Sequence, residues 1–187
     1  MTPAGAAAPK PPLPRDCRLQ ALDTHADRRG DLTEVFREEW LESPAPRIWS
    51  VVRGHNEMRT GLRVSVWDWT YLSLLDGAVL AGLLDLRPAA PAANPALVAI
   101  SETPRQMLAI APGVAYGLYF PRPGLCLMGR AAGTDPADGL LCAWDSPGLD
   151  IPWPSPSVDR AAAPRTGLDL AEFKARFAAL ASRAGDG

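Results

Sequence analysis

Residues 61–87 read Gly-Leu-Arg-Val-Ser-Val-Trp-Asp-Trp-Thr-Tyr-Leu-Ser-Leu-Leu-Asp-Gly-Ala-Val-Leu-Ala-Gly-Leu-Leu-Asp-Leu-Arg, and this stretch decides the fold class. Leu62, Val64 and Val66 occupy one parity, while Arg63, Ser65, Trp67, Trp69 and Tyr71 occupy the other. Alternation built from β-branched and aromatic side chains predicts a strand with two chemically distinct faces. Asp76-Gly77 predicts a hairpin turn, after which Ala78 to Leu86 reads as a second apolar strand. On either side the pattern repeats. Ile48–Val52 is a β-branched run closed by the turn-like Arg53-Gly54-His55-Asn56, and Pro88, Pro91 and Pro95 mark a loop. Ala96–Ile100, Met107–Ile110, Val114–Phe120, Leu125–Met128 and Leu140–Trp144 follow as short strand-like pieces, with Ala111-Pro112-Gly113 as a turn. Short strands separated by turns every ~8–12 residues predict an all-β sandwich or barrel.

The flanks differ. Residues 1–16 are Ala/Pro-rich and are expected to be a disordered arm, since such a segment neither forms a helix nor buries a core. Thr33 to Leu41 carries Val35, Phe36 and Trp40 and reads as a short strand or a helical turn. Leu168, Leu170, Phe173, Phe177 and Leu180 recur at helical spacing across Asp169–Arg183, with Gly185 where a stop belongs. That helix is expected to lay its apolar stripe on the barrel or on a partner subunit. The organisation is therefore an arm at 1–16, an all-β domain at 17–158, and a linker with a C-terminal helix at 159–187.

The 187 residues are 47% hydrophobic and 21% charged, as in an ordinary soluble domain, and 16 glycines with 20 prolines argue against a helical bundle. Lys and Arg total 19 against 21 acidic residues, a net charge of -2 that asks for neither nucleic acid nor an anionic membrane. No apolar run reaches the ~18 residues of a membrane helix, and the N-terminus lacks the pattern of a signal peptide. Cys17, Cys126 and Cys142 form no C-x-x-C pair and read as reduced thiols, so a cytoplasmic location is expected. With two histidines, His25 and His55, thirty residues apart and each beside a turn, no metal site is expected. Phosphate-loop, dinucleotide-loop and serine-elbow motifs are all missing, and no cofactor is expected.

Five segments, taken in order, carry a resemblance. Asp27-Arg28-Arg29-Gly30-Asp31-Leu32-Thr33-Glu34 is similar to a D-x-R-G-x-F-x-E pattern, and Gly61-Leu62-Arg63 to the start of G-x-L-R-G-L-H. Gly77 to Arg87 matches G-x-V-x-D-V-x-V-D-L-R without a gap. Ile110 to Gly117 resembles I-P-x-G-x-A-H-G, and Trp144 to Pro154 resembles W-N-D-P-x-L-x-I-x-W-P. Together, over residues 23–155, they resemble the dTDP-4-dehydrorhamnose 3,5-epimerase family. The resemblance implies a cupin, a double-stranded β-helix or jelly roll, usually a homodimer, acting on a nucleotide-linked sugar.

In that family a histidine oriented by an aspartate removes protons beside the C4 ketone, a lysine holds the enolate oxygen, and a tyrosine returns a proton. Such chemistry requires a placed base and a charge-stabilising group. The resemblance puts Val66 at the base histidine, Thr70 at the lysine, Gly129 at the tyrosine and Ser146 at the aspartate, while Tyr116 replaces the histidine of the A-H-G turn. None of Val66, Thr70, Gly129 or Ser146 can perform the corresponding step, so the expectation is a degenerate epimerase without the family's catalytic residues, which binds a nucleotide sugar or a partner protein. Tyr116, Asp68 and His55 are the candidates for a rebuilt site in an active isomerase. On the binding side, Arg29, Glu34 and Arg63 match nucleotide-contacting positions, and an arginine suits diphosphate by its planar fork. Val51 and Arg53 stand where amides usually complete the nucleotide site. Trp67, Trp69 and Tyr71, on one strand face beside Arg63, are candidates to stack on a sugar or base, and Tyr119, a further substrate-binding candidate, lies by the resemblance near the barrel mouth, where it and Tyr116 are candidate proton donors. The other reading of the Trp67, Trp69 and Tyr71 row is packing, in a structural homodimer whose pocket those rings would fill.

Overall fold

The computed structural model describes residues 13–42, 46–88, 95–131, 135–154 and 167–185. The expected arm up to Pro12 and the connector at 155–166 lie outside the described residues. The strands run β1 Arg18–Ala21, β2 Thr24–Asp27, β3 Gly30–Thr33, β4 Pro46–Arg53, β5 Met58–Arg59, β6 Leu62–Arg63, β7 Thr70–Asp76, β8 Val79–Asp85, β9 Ala96–Ile100, β10 Gln106–Ile110, β11 Val114–Phe120, β12 Gly124–Ala131 and β13 Leu141–Cys142. A 3₁₀ turn lies at Glu38–Trp40, and helix α1 spans Leu170–Gly185.

Two antiparallel sheets face one another as a jelly roll, the all-β architecture expected from the strand spacing. One sheet has the order β1-β10-β7-β12-β4, the other β13-β6-β11-β8-β9 with β5 also on β11, and β2-β3 is a separate hairpin. Consecutive strands mostly lie in opposite sheets, so the turns between them are corners. Asp76-Gly77 is such a corner rather than a hairpin turn, because β7 and β8 belong to different sheets. Gly77 has φ +94 there, and a Cβ would stand 2.3 Å from the Pro123 carbonyl of the neighbouring corner, so only glycine fits.

Alternation fills the space between the sheets. Leu72, Leu74, Leu108, Ile110, Cys126 and Met128 from one sheet meet Val79, Ala81, Leu83, Val98, Val114, Leu118 and Phe120 from the other. The opposite parity builds two outer layers. On the second sheet, Leu62, Val64, Leu84 and Ala115 are covered by Leu170, Phe173 and Phe177 of α1 together with Leu149 and Ile151. The helix therefore docks on its own barrel. Asp169 caps it, accepting the Glu172 N–H at 2.8 Å, and the Ser146 hydroxyl accepts the Leu170 N–H at 2.7 Å. On the first sheet, Tyr71, Met107 and Ala109 are covered by Val35, Phe36, Trp40 and Leu41, and the Glu42 N–H donates to the Tyr71 hydroxyl at 2.7 Å.

The strand expected to run unbroken from residue 61 divides into β6 and β7, and residues 64–69 turn the corner between the sheets. Asp135 causes the break. Its carboxylate accepts the Ser65 hydroxyl and the backbone N–H groups of Val66 and Trp67, both at 2.9–3.0 Å, and of Ala137 at 2.8 Å. A backbone whose donors bond to a side chain cannot also join a ladder.

Candidate functional site

At the open edge of the jelly roll a cleft of about 590 Å³ separates β4 and β12 from β6 and β11. The register explains its wall. Arg47, Trp49, Val51 and Arg53 share the inward parity of β4, and opposite them on β12 lie Arg130 beside Arg47 and Met128 beside Trp49. Across the gap, Tyr116 and Arg63 are paired neighbours on β11 and β6, with Leu118, Thr60 and Gly61 one step along. Among the described lining residues, four guanidinium groups thus face one carboxylate, that of Asp138. Arg130 donates to Asp138 at 2.7 Å and lies 3.7 Å from Asp68, whereas Arg63 is exposed and makes no ion pair among the described residues. A second, narrower recess continues the cleft inward between Arg63, Thr70, Tyr116, Arg130 and Asp138.

At that inner end Tyr116 shares a hydrogen bond with the Thr70 hydroxyl, and burial raises the pKa of its phenol despite the nearby Arg63 and Arg130. Tyr116 is therefore a protonated hydrogen-bond donor at neutral pH, not a base. Asp68 sits outside the cleft lining behind Arg130; burial, reinforced by Asp135, raises its pKa, and Arg130 opposes the shift. His55 is exposed in the turn after β4 and does not line the cleft. No histidine lies among the described lining residues, and the described residues contain no cluster of His, Cys, Asp and Glu able to hold a metal. Burial pushes the Cys17 and Cys142 thiols up to about 11 and Cys126 up to about 12, which keeps all three protonated.

The positions singled out by resemblance scatter. Arg63 and Tyr116 line the cleft and Thr70 lines its inner recess, but Val66 belongs to the corner held by Asp135. Gly129 pairs with Ile48 and Tyr71, is not among the cleft-lining residues and has no side chain to offer, and Ser146 serves the start of α1. Arg29 is on the separate hairpin, its guanidinium on Asp27 at 2.6 Å, and Glu34 pairs with Arg37. Trp67 is 53% exposed at the corner, and Trp69 packs between the inner core and the layer over the first sheet. Tyr119 faces outward, where Arg59 lies 5.0 Å from its ring and 4.8 Å from that of Trp144. The row Trp67, Trp69 and Tyr71 therefore does not fill the cleft. Arg47, Trp49 and Arg130 were not singled out from the sequence. The signal for them is parity, since each continues an inward-facing apolar row.

The jelly-roll fold is similar to that of solved nucleotide-sugar epimerases. No family model and no curated protein sequence matches the chain. Among solved structures, a 3'-monoepimerase from Streptomyces bikiniensis in complex with dTDP-quinovose is similar at TM-score 0.69 and 18% identity, over 94% of this chain and 90% of that one. A dTDP-4-dehydrorhamnose 3,5-epimerase from Bacillus anthracis with TDP and PPi bound is similar at TM-score 0.66 and 21% identity, over 82% of this chain and 94% of that one. A 4-keto-6-deoxy sugar epimerase from the novobiocin cluster of Streptomyces spheroides is similar at TM-score 0.67 and 22% identity, over 96% of this chain and 95% of that one.

Proposed function

We propose that this epimerase-like cupin binds a nucleotide sugar in the arginine-lined cleft and does not perform 3,5-epimerisation. The observation that carries the reading is the lining itself: Arg47, Arg53, Arg63 and Arg130 converge on a space whose inner end holds a protonated tyrosine and, among the described residues, no histidine, its one carboxylate, Asp138, being paired with Arg130. Guanidinium groups recognise diphosphate oxygens by paired, charge-assisted hydrogen bonds, and Arg63, exposed and without an ion pair among the described residues, is the group best placed to do so. Proton abstraction beside a ketone needs a base near the operating pH, which a phenol held protonated by burial does not supply. The working form is proposed to be a homodimer, a reading supported by Ile48 and Val52, 54% and 63% exposed on the edge strand β4. The ligand reading is tested by calorimetric titration with dTDP-glucose. Binding is expected to weaken on raising salt, and Arg63→Ala to weaken it by about 10- to 100-fold, the size of a lost charge-assisted hydrogen bond. An unchanged affinity in Arg63→Ala would place the ligand elsewhere.

A further inference from the structure

Resting on that reading, we infer that the nucleoside end of the ligand is held on Trp49 by stacking, so that the cleft accepts nucleoside diphosphates without selecting the base. The cleft is not uniform along β4. Arg47 and Arg130 stand at one end, Trp49 with Met128 one step along, then Val51, then Arg53, each step being about 7 Å at strand rise. Leu118 lines the same middle section from the facing sheet. This middle section is a flat aromatic ring among apolar side chains, bounded at both ends by cations.

Base selection requires donors and acceptors fixed against the base edge, whereas every base offers the same kind of flat face for stacking. Among the described lining residues the middle section offers no side chain that fixes a choice of base edge. Val51 and Leu118 carry no side-chain donor or acceptor, and Met128 only a weakly accepting thioether sulfur. The Thr60 hydroxyl accepts the Leu118 N–H at 2.9 Å and keeps one O–H, which can turn to a carbonyl or ring nitrogen on any base. Arg53, which donates to the Val52 carbonyl at 3.1 Å, is a long donor-only group that meets a carbonyl or ring nitrogen on any base. Trp49, 38% exposed on an edge strand, is free to present its face to a ligand.

The test is calorimetric titration of the full chain with dTDP, UDP, ADP and inorganic pyrophosphate at one salt concentration. The three nucleotides are expected to bind within about tenfold of one another, the range that a methyl-sized difference commands in an apolar pocket. Trp49→Ala is expected to weaken all three by about tenfold or more, the value of one stacked base, and to leave pyrophosphate unchanged. Trp49→Phe, which keeps a flat ring, is expected to retain most of the affinity and controls for folding. A preference of more than about tenfold for one base overturns the inference while leaving the cleft reading intact. So does a Trp49→Ala loss that is equal for pyrophosphate, since Trp49 would then act on the wall rather than on a base. Failure of pyrophosphate and all three nucleotides to bind overturns the cleft reading itself.

Discussion

Asp135 is 1% exposed and satisfies its carboxylate with one hydroxyl and three backbone N–H groups from the corner at 65–67 and from Ala137. Those bonds hold its pKa below the ordinary 3.8, with burial acting the other way. Removing the acceptor strands several buried donors, so Asp135→Ala is expected to lower unfolding stability by about 3 kcal/mol, measured by urea denaturation at pH 7. A depressed folded pKa stabilises above the unfolded value of 3.8 and loses that contribution as pH falls through the lower folded value. The stability gap between the wild type and Asp135→Asn is therefore expected to be full at neutral pH and to shrink below about pH 4. A gap independent of pH would mean that the bonds do not need the charge. This one residue also explains why alternation misled at residues 64–69: the donor pattern there is set by a side chain some seventy positions away, which local periodicity does not register.

The same division between local and distant causes runs through the elements. Strands β9 and β11 and helix α1 were legible because each is defined by its own apolar row, buried on one side. Phe173 is fully buried between α1 and the second sheet, and Phe173→Ala is expected to cost about 3–5 kcal/mol in urea unfolding. Ser146→Ala, which removes only the acceptor for the Leu170 N–H, is expected to cost about 1 kcal/mol. Equal effects would contradict the view that the helix is held by its stripe more than by its cap. Most of the segments that carry the resemblance are likewise parts of the shell. Arg87 reaches back to Asp85 at 2.7 Å and to Asp16 at 2.8 Å, and its side chain passes over Gly113, where a Cβ would come within 2.5 Å. Trp153 lies against Gly82, and Trp144 against Arg59. These contacts identify the jelly roll and are silent about ligand. Of the candidate site, Arg63 and Tyr116 were legible, whereas Arg47, Trp49 and Arg130 carry only the parity of their own strands, and that this face of β4 and β12 lines a cleft follows from the pairing of the two, which no single strand reveals.

For the whole molecule, the proposed homodimer places Ile48 and Val52 in an interface. Sedimentation velocity is expected to give a dimer, and Val52→Glu a folded monomer, since a charge at a 63% exposed position does not disturb the core. A monomeric wild type would contradict that assembly and leave the cleft reading untouched. The cleft joins a cationic wall, suited to an anionic ligand, to an inner end whose carboxylate, Asp138, is paired with Arg130, and on the proposed reading it binds the sugar nucleotide without abstracting a proton. Proton NMR of dTDP-4-keto-6-deoxyglucose in heavy water, with and without the full chain, tests both parts of that reading together. The expected result is broadened sugar-nucleotide lines with the C3 and C5 hydrogen signals at full intensity. Protein-dependent loss of either signal by exchange with deuterium would contradict it and direct the search for a base to Tyr116, Asp68 and His55.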